Sequence, residues 1–290
     1  MAEINCVIDA QAILGEGPLW DEREGVLWWL DIKRRQIRRY SPDSGREIIY
    51  EAPEEPGSLA VRENGGLIVA MASGFYFFDP SHSRFDAVLD PEPSLNANRF
   101  NDGKPDRQGR FWAGTMNDPP IAKTAALYRL DPDLSCHRMV ENVCCSNALA
   151  WSPDGCTMYY ADSYSYRVWS WDFDPESGEI ENRRDFVTLE WTGGIADGAT
   201  VDAEGCYWLT VPNTGKLLRF DPDGKLMTAI SLPVDQPTCP MFGGNELDIL
   251  YVTTARFNRP DEILRRQPQA GGLFALDVGV RGLPEARFRG

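Results

Sequence analysis

Short runs of β-branched and aromatic residues, separated by polar turn residues, dominate the chain. Clear examples are Val26–Leu30, Gly66–Ala70 and Cys206–Thr210, whereas helical periodicity is almost absent. Runs of this length, bounded by Gly, Asp, Asn and Pro, are typical of β-strands. The pattern therefore predicts an all-β protein.

A strand ending recurs along the chain, in which an aromatic residue or Leu is followed by a Pro- or Asp-containing turn. The endings are Tyr40-Ser41-Pro42, Phe78-Asp79-Pro80, Leu130-Asp131-Pro132, Phe173-Asp174-Pro175, Phe220-Asp221-Pro222 and Leu276-Asp277. Successive endings lie roughly 40–55 residues apart, which is the period of a four-stranded propeller blade. The repeat predicts a six-bladed β-propeller with four-stranded antiparallel blades, built as a single domain over residues 1–290.

Closure of the ring makes a further prediction. One blade is too small to bury its own faces, so the blades must pack around an axis and the ring must close. We expect the first strand, near residues 5–9, to pair with the last blade. A two-sheet sandwich is the alternative, but it gives no reason for the repeated ending.

Composition narrows the classes of partner. The formal net charge of −15 disfavours nucleic acid and anionic membranes, because a surface this acidic repels phosphate groups. No apolar run is long enough to span a membrane, and the start of the chain does not resemble a signal peptide. The seven cysteines, an odd number without a Cys-x-x-Cys pair, predict free thiols and a cytoplasmic location. The oligomeric state is left open.

The small number of histidines limits the catalytic groups and metal sites that the chain can form. The chain has two histidines, His82 and His137, both in polar stretches that resemble loops. Nothing indicates a Ser-His-Asp triad, and a tetrahedral zinc site of His and Cys is disfavoured. Any metal must therefore be held by oxygen ligands.

Four segments depart from the ordinary pattern of strand and turn. Glu16 stands between two glycines, Asn101 begins an Asn-Asp-Gly sequence, Asn147 begins an apolar strand, and Asp197 comes just before another. Each has an ordinary alternative explanation. Glu16 would be an exposed loop residue, and Asn-Asp-Gly a hairpin turn.

The positions of these four residues relative to the repeat suggest a common site. Each is expected to precede the innermost strand of a different blade, and the starts of those strands converge on the central channel. Carboxylate and amide oxygens suit a hard or borderline divalent cation. Without a cation, converging carboxylates would repel one another and raise each other's pKa.

The chain resembles the senescence marker protein/gluconolactonase family, which includes regucalcin and bacterial sugar lactonases. The matching segments are LGEGPLW (14–20), NRFNDGK (98–104), GRFWAGTM (109–116), SNALAWSPDG (146–155), MYYADS (158–163), ADGATVDAEGCYW (196–208), MFGG (241–244) and LYVTTAR (250–256). The resemblance extends from about residue 10 to 280. The stretch 255–276 is most similar to the bacterial sugar-acid lactonases.

The resemblance implies roles for individual residues. Glu16, Asn147 and Asp197 are the expected metal ligands, and Asp197 is also the candidate catalytic base. Arg99 and Asn101 are expected to contact the substrate. Ca²⁺ or Zn²⁺ is the expected cofactor, with Mn²⁺, Mg²⁺ and Fe²⁺ as alternatives.

Two departures from the family pattern affect these expectations. Ala196 stands where the family usually has Pro, which should loosen the loop around Asp197. The stretch 117–123 offers no clear equivalent of the acidic substrate contact that animal members carry, so the identity of the substrate is not transferred.

The resulting functional hypothesis is metal-dependent hydrolysis of a sugar lactone to its sugar acid, in carbohydrate catabolism. The first alternative is a calcium-binding regulatory propeller without catalysis, which would need the metal ligands but not Arg99 and Asn101. The second is an interaction scaffold, which would need no convergent oxygen cluster.

Overall fold

The computed structural model describes residues 3–290 and confirms the predicted fold. Six antiparallel sheets of four strands each form the blades of a six-bladed β-propeller. Within the described residues, helix is confined to one short α-helix, α1 (Asp261–Arg266), and two 3₁₀ turns, Ser163–Ser165 and Glu190–Thr192.

The strands follow the chain from the channel outwards within each blade. In chain order they are β1 (Ile4–Ile8), β2 (Gly15–Asp21), β3 (Val26–Asp31), β4 (Gln36–Ser41), β5 (Arg46–Glu51), β6 (Pro56–Val61), β7 (Leu67–Met71), β8 (Gly74–Asp79), β9 (Arg84–Leu89), β10 (Asn98–Pro105), β11 (Phe111–Asn117), β12 (Ala125–Leu130), β13 (Cys136–Val143), β14 (Ser146–Trp151), β15 (Thr157–Asp162), β16 (Arg167–Phe173), β17 (Ile180–Thr188), β18 (Ala199–Val201), β19 (Tyr207–Val211), β20 (Lys216–Phe220), β21 (Leu226–Ser231), β22 (Pro237–Gly243), β23 (Ile249–Thr254) and β24 (Leu273–Asp277). Blades 1 to 5 take β2–β5, β6–β9, β10–β13, β14–β17 and β18–β21, and blade 6 takes β22–β24 with β1 outermost.

The first strand closes the ring, as predicted. β1 pairs antiparallel with β24, and Ile4 lies opposite Leu276. Blade 6 then contacts blade 1 directly, since the Thr238 hydroxyl donates to the carbonyl oxygen of Gly15 at 2.6 Å. Blade 6 therefore contains strands from both ends of the chain, and its contact with blade 1 completes the ring.

The repeated ending marks the third strand of every blade. The turn after β20 shows why the ending recurs. Oδ1 of Asp221 accepts from the backbone N–H groups of Asp223 and Lys225, at 3.1 and 2.9 Å, while Gly224 takes a φ of 81°. A carboxylate that caps its own turn and a residue that tolerates positive φ are what such a tight turn requires.

The core lies between the blades. Trp112 of blade 3 packs its ring against Trp151 and Phe173 of blade 4, with ring centroids 5.9 and 5.7 Å apart. Trp112 is fully buried. Large aromatic side chains of this kind hide the faces that a single blade leaves open, and so hold neighbouring blades together.

Buried aspartates hold the turns at the ends of the inner strands. Asp202 accepts from the indole N–H of Trp208 at 2.8 Å and from Nε of Arg219 at 2.8 Å. Asp106 bonds Trp112 in the same way at 2.9 Å. The spacing Asp-x-x-Gly-x-x-Trp therefore serves a structural purpose at the face opposite the starts of the inner strands.

Residues 278–290 cross this same face. Gly282 forms a bridge with Asp202 of blade 5, and Phe288 forms one with Arg62 of blade 2. Glu285 extends towards the channel, and its Oε1 lies 3.7 Å from Nζ of Lys104. The C-terminal segment therefore joins blades that are not neighbours. Within residues 3–290, no helix has the length and apolarity to span a membrane.

Candidate functional site

The candidate site lies at the starts of the inner strands, where bulges turn polar side chains towards the channel. Strand pairing shifts register after Glu16 in β2, around Asn101 in β10 and after Asn147 in β14. A bulge places an extra residue in one strand and re-aims its side chain. Glu16, Asn101 and Asn147 thus lie inside their strands rather than before them, because pairing continues on both sides of each bulge. Asp197 precedes β18, as expected.

The four side chains converge. Nδ2 of Asn101 donates to Oδ1 of Asn147 at 3.2 Å. Asp197 is within hydrogen-bonding reach of both Glu16 and Asn147, and Glu16 also lies within the electrostatic reach of Asp102. Residues from blades 1, 3, 4 and 5 therefore meet at one point, as the sequence pattern predicts.

Negative charge accumulates at this point. Burial, followed by the charges of Asp197 and Asp102, raises the pKa of Glu16 well above its ordinary value. Burial and the charge of Asp102 likewise raise the pKa of Asp197 to about 8, although hydrogen bonds with Glu16 and Asn147 oppose the rise. Burial raises the pKa of Asp102 as well. An excess of enclosed carboxylates with amide oxygens beside them is the donor set that a divalent cation fits.

Buried aspartates hold the segments that lead into the site. Asp31, at the end of β3, accepts from the backbone N–H of Ile13 at 3.0 Å and fixes the approach to Glu16. Asp162, at the end of β15, accepts from the N–H of Cys145 at 3.1 Å and fixes the approach to Asn147. Both aspartates end a second strand of a blade.

The orientation of the Asn147 amide follows from its neighbours. Its Nδ2 donates to the Ser163 hydroxyl at 2.9 Å, and that hydroxyl donates to the carbonyl oxygen of Ala196 at 2.7 Å. Oδ1 of Asn147 is therefore the atom turned towards Asn101. Ala196, the residue in place of the usual Pro, is fully buried. Its carbonyl thus holds the loop before Asp197 against blade 4.

Arg99 is buried beside Asn101 rather than exposed. Its Nη1 donates to Oδ1 of Asn101 at 3.2 Å, and its Nε donates to Oδ2 of Asp118 at 2.8 Å. Arg99 is 7% exposed, and residues 101–103 form part of β10. The alternative explanation, in which Asn-Asp-Gly is a hairpin turn, is therefore wrong.

A group of charges beside Arg99 could not be identified from the sequence. Nζ of Lys33 lies 2.9 Å from Oε2 of Glu55 and 3.2 Å from Oδ2 of Asp118. Burial acts to raise the pKa of Asp118, but hydrogen bonding to Arg99 and the charges of Arg99 and Lys33 hold it below its ordinary value. The stretch 117–123, which offered no clear acidic candidate, thus places Asp118 directly on Arg99.

Two other groups of reactive residues lack the features of a site. Burial raises the pKa of the Cys145 thiol to about 12, so the thiol stays protonated although it lies 3.8 Å from Nδ2 of Asn147. Asp202, Glu204 and Cys206 are spaced as metal ligands would be, but Arg219 binds both carboxylates. All seven cysteines are free, as expected.

Known proteins resemble this chain over nearly its whole length. Residues 14–256 match the family described as the SMP-30/Gluconolactonase/LRE-like region. The 6-deoxy-6-sulfogluconolactonase of Pseudomonas putida is 38% identical over 290 residues, and the regucalcin of Xenopus laevis is 37% identical over 300 residues. In both alignments, 99% of each chain is covered. A crystal structure described as a calcium-binding protein, regucalcin, from Agrobacterium tumefaciens superposes with a TM-score of 0.96 at 28% identity, covering 99% of this chain and 98% of that one.

Proposed function

Because this chain belongs to the SMP-30/gluconolactonase/LRE-like family, we propose that it is an enzyme that hydrolyses a sugar lactone to the sugar acid. The relative named as a sulfogluconolactonase supports this proposal, since it matches along 99% of both chains. Carbohydrate catabolism is the setting that such a reaction suggests. Seven free cysteines favour a reducing compartment such as the cytoplasm.

Three residues would hold one divalent cation. Glu16 and Asp197 offer carboxylate oxygens, and Asn147 offers Oδ1, the atom that accepts from Asn101. The raised pKa values of Glu16 and Asp197 support the assignment, because burial and neighbouring carboxylates disfavour their negative charges and a bound cation would balance those charges. Ca²⁺ and Zn²⁺ are the candidate ions. A bound cation would supply Lewis acidity at the lactone carbonyl oxygen.

Asp197 is the candidate base. A carboxylate beside Glu16 and Asn147 can take a proton from a water in the site, and a bound cation would keep that carboxylate ionised near neutral pH. We propose that Asp197 accepts a proton from the attacking water as the oxygen of that water bonds to the lactone carbonyl carbon. The ring C–O bond then breaks, and the leaving ring oxygen takes this proton from Asp197 and becomes a hydroxyl. The product acid ionises and releases one proton to solvent.

Arg99 and Asn101 would hold the substrate. Their hydrogen bond to each other places a guanidinium and an amide beside the proposed ligand Asn147. A guanidinium offers fixed N–H donors to sugar hydroxyls and to the negative charge that develops on the carbonyl oxygen. Asp118 keeps Arg99 in place through its bond to Nε.

One observation carries the proposal. A buried arginine and an asparagine lie directly against the converging carboxylates and amide. The second candidate is a calcium-binding regulatory propeller, favoured by the relatives named regucalcin. That candidate accounts for the converging oxygens but gives no role to Arg99. An interaction scaffold accounts for neither feature.

A panel of sugar lactones tests the proposal. Each lactone is added to metal-loaded protein in weak buffer with a pH indicator, because hydrolysis releases a proton. The same assay is repeated after removal of metal with a chelator. Faster acid release with at least one lactone, lost with the chelator and restored by Ca²⁺ or Zn²⁺, supports the enzyme. Metal binding without acceleration of any lactone would favour the regulatory propeller.

A further inference from the structure

The Asn-Asp-Gly-Lys segment of β10 sends side chains across the channel to two other blades. Asn101 donates to the carbonyl oxygen of Ser146 at 2.9 Å. Asp102 and Lys104, which take no part in the chemistry proposed above, reach blades 4 and 5. Asp102 contacts the backbone N–H of Leu149, two residues after the proposed ligand Asn147. Lys104 contacts the carbonyl oxygen of Ala199, two residues after the proposed ligand Asp197.

Asp102 holds the bulge that carries Asn147. Ala148 has a φ of 63°, in the left-handed region that is unfavourable for a residue with a Cβ. The bulge takes the backbone N–H of Leu149 out of regular pairing, and Oδ2 of Asp102 accepts it at 3.0 Å. From blade 5, the hydroxyl of Tyr207 donates to the carbonyl oxygen of Ala148 at 2.7 Å. The half-buried Asp102 and the fully buried Tyr207 therefore maintain a strained backbone conformation immediately after Asn147.

Lys104 holds the segment that carries Asp197. The inner strand of blade 5, β18, has only 3 residues, so regular pairing begins after Asp197. Nζ of Lys104 donates to the carbonyl oxygen of Ala199 at 3.0 Å. Lys104 is 7% exposed, and Glu285 lies on its ammonium group at 3.7 Å. Gly198 packs so closely on Cys239 that a Cβ would collide, so the segment has little freedom on its other side.

We propose that Asp102 and Lys104 are positioning residues that brace the ligand-bearing segments of blades 4 and 5 from blade 3. The inference rests on the proposed cation site, because it gives Asn147 and Asp197 the part of ligands. Partners that orient metal ligands typically contribute about 10–100-fold to metal affinity. Asp102 and Lys104 act through the backbone instead of touching the cation.

Lys104→Met separates positioning from electrostatics. Methionine has a similar length but cannot donate to Ala199. Loss of a positive charge near the carboxylates would by itself tighten cation binding. Loss of the hydrogen bond to Ala199 would instead weaken cation binding. We expect about a tenfold weaker Ca²⁺ affinity by calorimetric titration. Lys216→Met, on a half-buried lysine that bonds Ser231, is the matched control. Tighter or unchanged Ca²⁺ binding in Lys104→Met would overturn the part given to Lys104.

Asp102 is tested by comparing two substitutions. Asp102→Ala removes the acceptor for Leu149, and we expect a loss of Ca²⁺ affinity of about 10–100-fold. Asp102→Asn keeps an acceptor oxygen while losing the charge, and should recover most of that affinity. Equal losses of Ca²⁺ affinity in both variants would show that the charge of Asp102 is the cause, and would overturn its proposed positioning role. Asp202→Asn, a buried aspartate at the opposite face, is the control.

Amide hydrogen exchange on metal-free protein gives a readout that needs no cation. Asp102→Ala should deprotect the peptide containing Leu149, and Lys104→Met the peptide 197–201, by at least about tenfold in rate while the other blades keep their protection. Unchanged exchange in both peptides refutes the brace. If Asp102→Ala does not fold, Tyr207→Phe tests the same bulge with a smaller change, and should speed exchange at Leu149 and weaken Ca²⁺ binding. A wild-type protein that binds neither Ca²⁺ nor Zn²⁺ would refute the proposed cation site, whereas exchange would still decide whether the segments are braced.

Discussion

Asn101 donates from Nδ2 to Oδ1 of Asn147 across the boundary between blades 3 and 4, at 3.2 Å. The bond joins a residue proposed to contact substrate with a residue proposed to bind the cation. An oxygen that accepts from Asn101 is also the oxygen that Asn147 can offer to a cation, since carbonyl oxygens have two lone pairs. This bond would thereby hold the proposed substrate contact and the proposed cation ligand at a fixed distance from each other.

Arg99→Ala should lower lactone hydrolysis while leaving Ca²⁺ affinity unchanged or slightly higher. A guanidinium cannot ligate a cation, and its positive charge opposes cation binding nearby. We expect kcat/KM to fall by about 100-fold, which is the typical effect of losing one donor to a developing oxyanion. Kinetics and calorimetric titration on the same preparation check this.

Arg167→Ala is the matched control, because Arg167 pairs with Asp185 on the exposed surface of blade 4. It should leave both quantities unchanged. Normal kinetics in Arg99→Ala would remove the feature that distinguishes the enzyme from a calcium-binding propeller.

Asp197→Asn should lose more rate than cation affinity. An amide oxygen still ligates a cation but cannot take a proton, and a general base contributes about 10²–10⁴-fold to the rate. The comparison is made on kcat at saturating cation, with occupancy measured by metal analysis. A fully metallated variant within about threefold of the wild-type kcat would show that Asp197 is a ligand and not the base.

The metal-free protein should lose stability as pH rises, relative to metal-free Glu16→Gln. The pKa of Glu16 is raised in the folded state, and that of Asp197 is raised to about 8, so folding favours their protonated forms. This contribution is complete below the ordinary carboxyl pKa of about 4 and is lost as pH climbs towards 8. Glutamine at position 16 cannot ionise, which removes one of the repelling charges.

Thermal unfolding between about pH 5 and 8 measures the effect. Wild type should lose at least about 5 °C in Tm relative to Glu16→Gln across this range. The same Tm difference at every pH would mean that the pKa of Glu16 is not raised in the folded protein, and would contradict the electrostatics given for the site.

Asp202→Ala should destabilise the fold without impairing the site. Asp202 bonds Trp208 and Arg219 at the face opposite the starts of the inner strands. The substitution leaves the buried indole N–H of Trp208 without its acceptor and leaves Arg219 with Glu204 alone, which should cost about 1–3 kcal/mol. Denaturant unfolding should show this loss in the free energy of unfolding, while kcat per folded molecule stays at the wild-type value. A loss of rate with unchanged stability would mean that Asp202 affects the site directly, and would contradict its purely structural role.

The sequence predicts the fold because a propeller repeats its turn chemistry. The six endings, from Tyr40 to Leu276, fall at the ends of the third strands, where capping carboxylates and glycines leave a visible pattern. The closing partner of β1 also followed from the need to complete the ring. Family membership was predictable because the motifs occur in order along most of the chain.

The details of the site were less predictable. The bulges that place Glu16 and Asn147 inside strands depend on pairing with neighbouring strands, which short motifs do not encode. The group of Lys33, Glu55 and Asp118 brings together loops of three blades, and each residue alone resembles an ordinary surface charge. The ligation and catalytic roles of the site residues remain predictions.

The central claim is that one divalent cation, held by Glu16, Asn147 and Asp197, enables hydrolysis of a sugar lactone. Its most direct test is a titration of metal-free protein with Ca²⁺ or Zn²⁺, in which bound metal and the initial rate on the best lactone of the panel are measured at each point. The rate should rise in proportion to bound metal and level off at one ion per chain, and Glu16→Gln should shift both curves to higher metal concentration. Full activity in the metal-free protein, or an activity that does not follow occupancy, would contradict the claim.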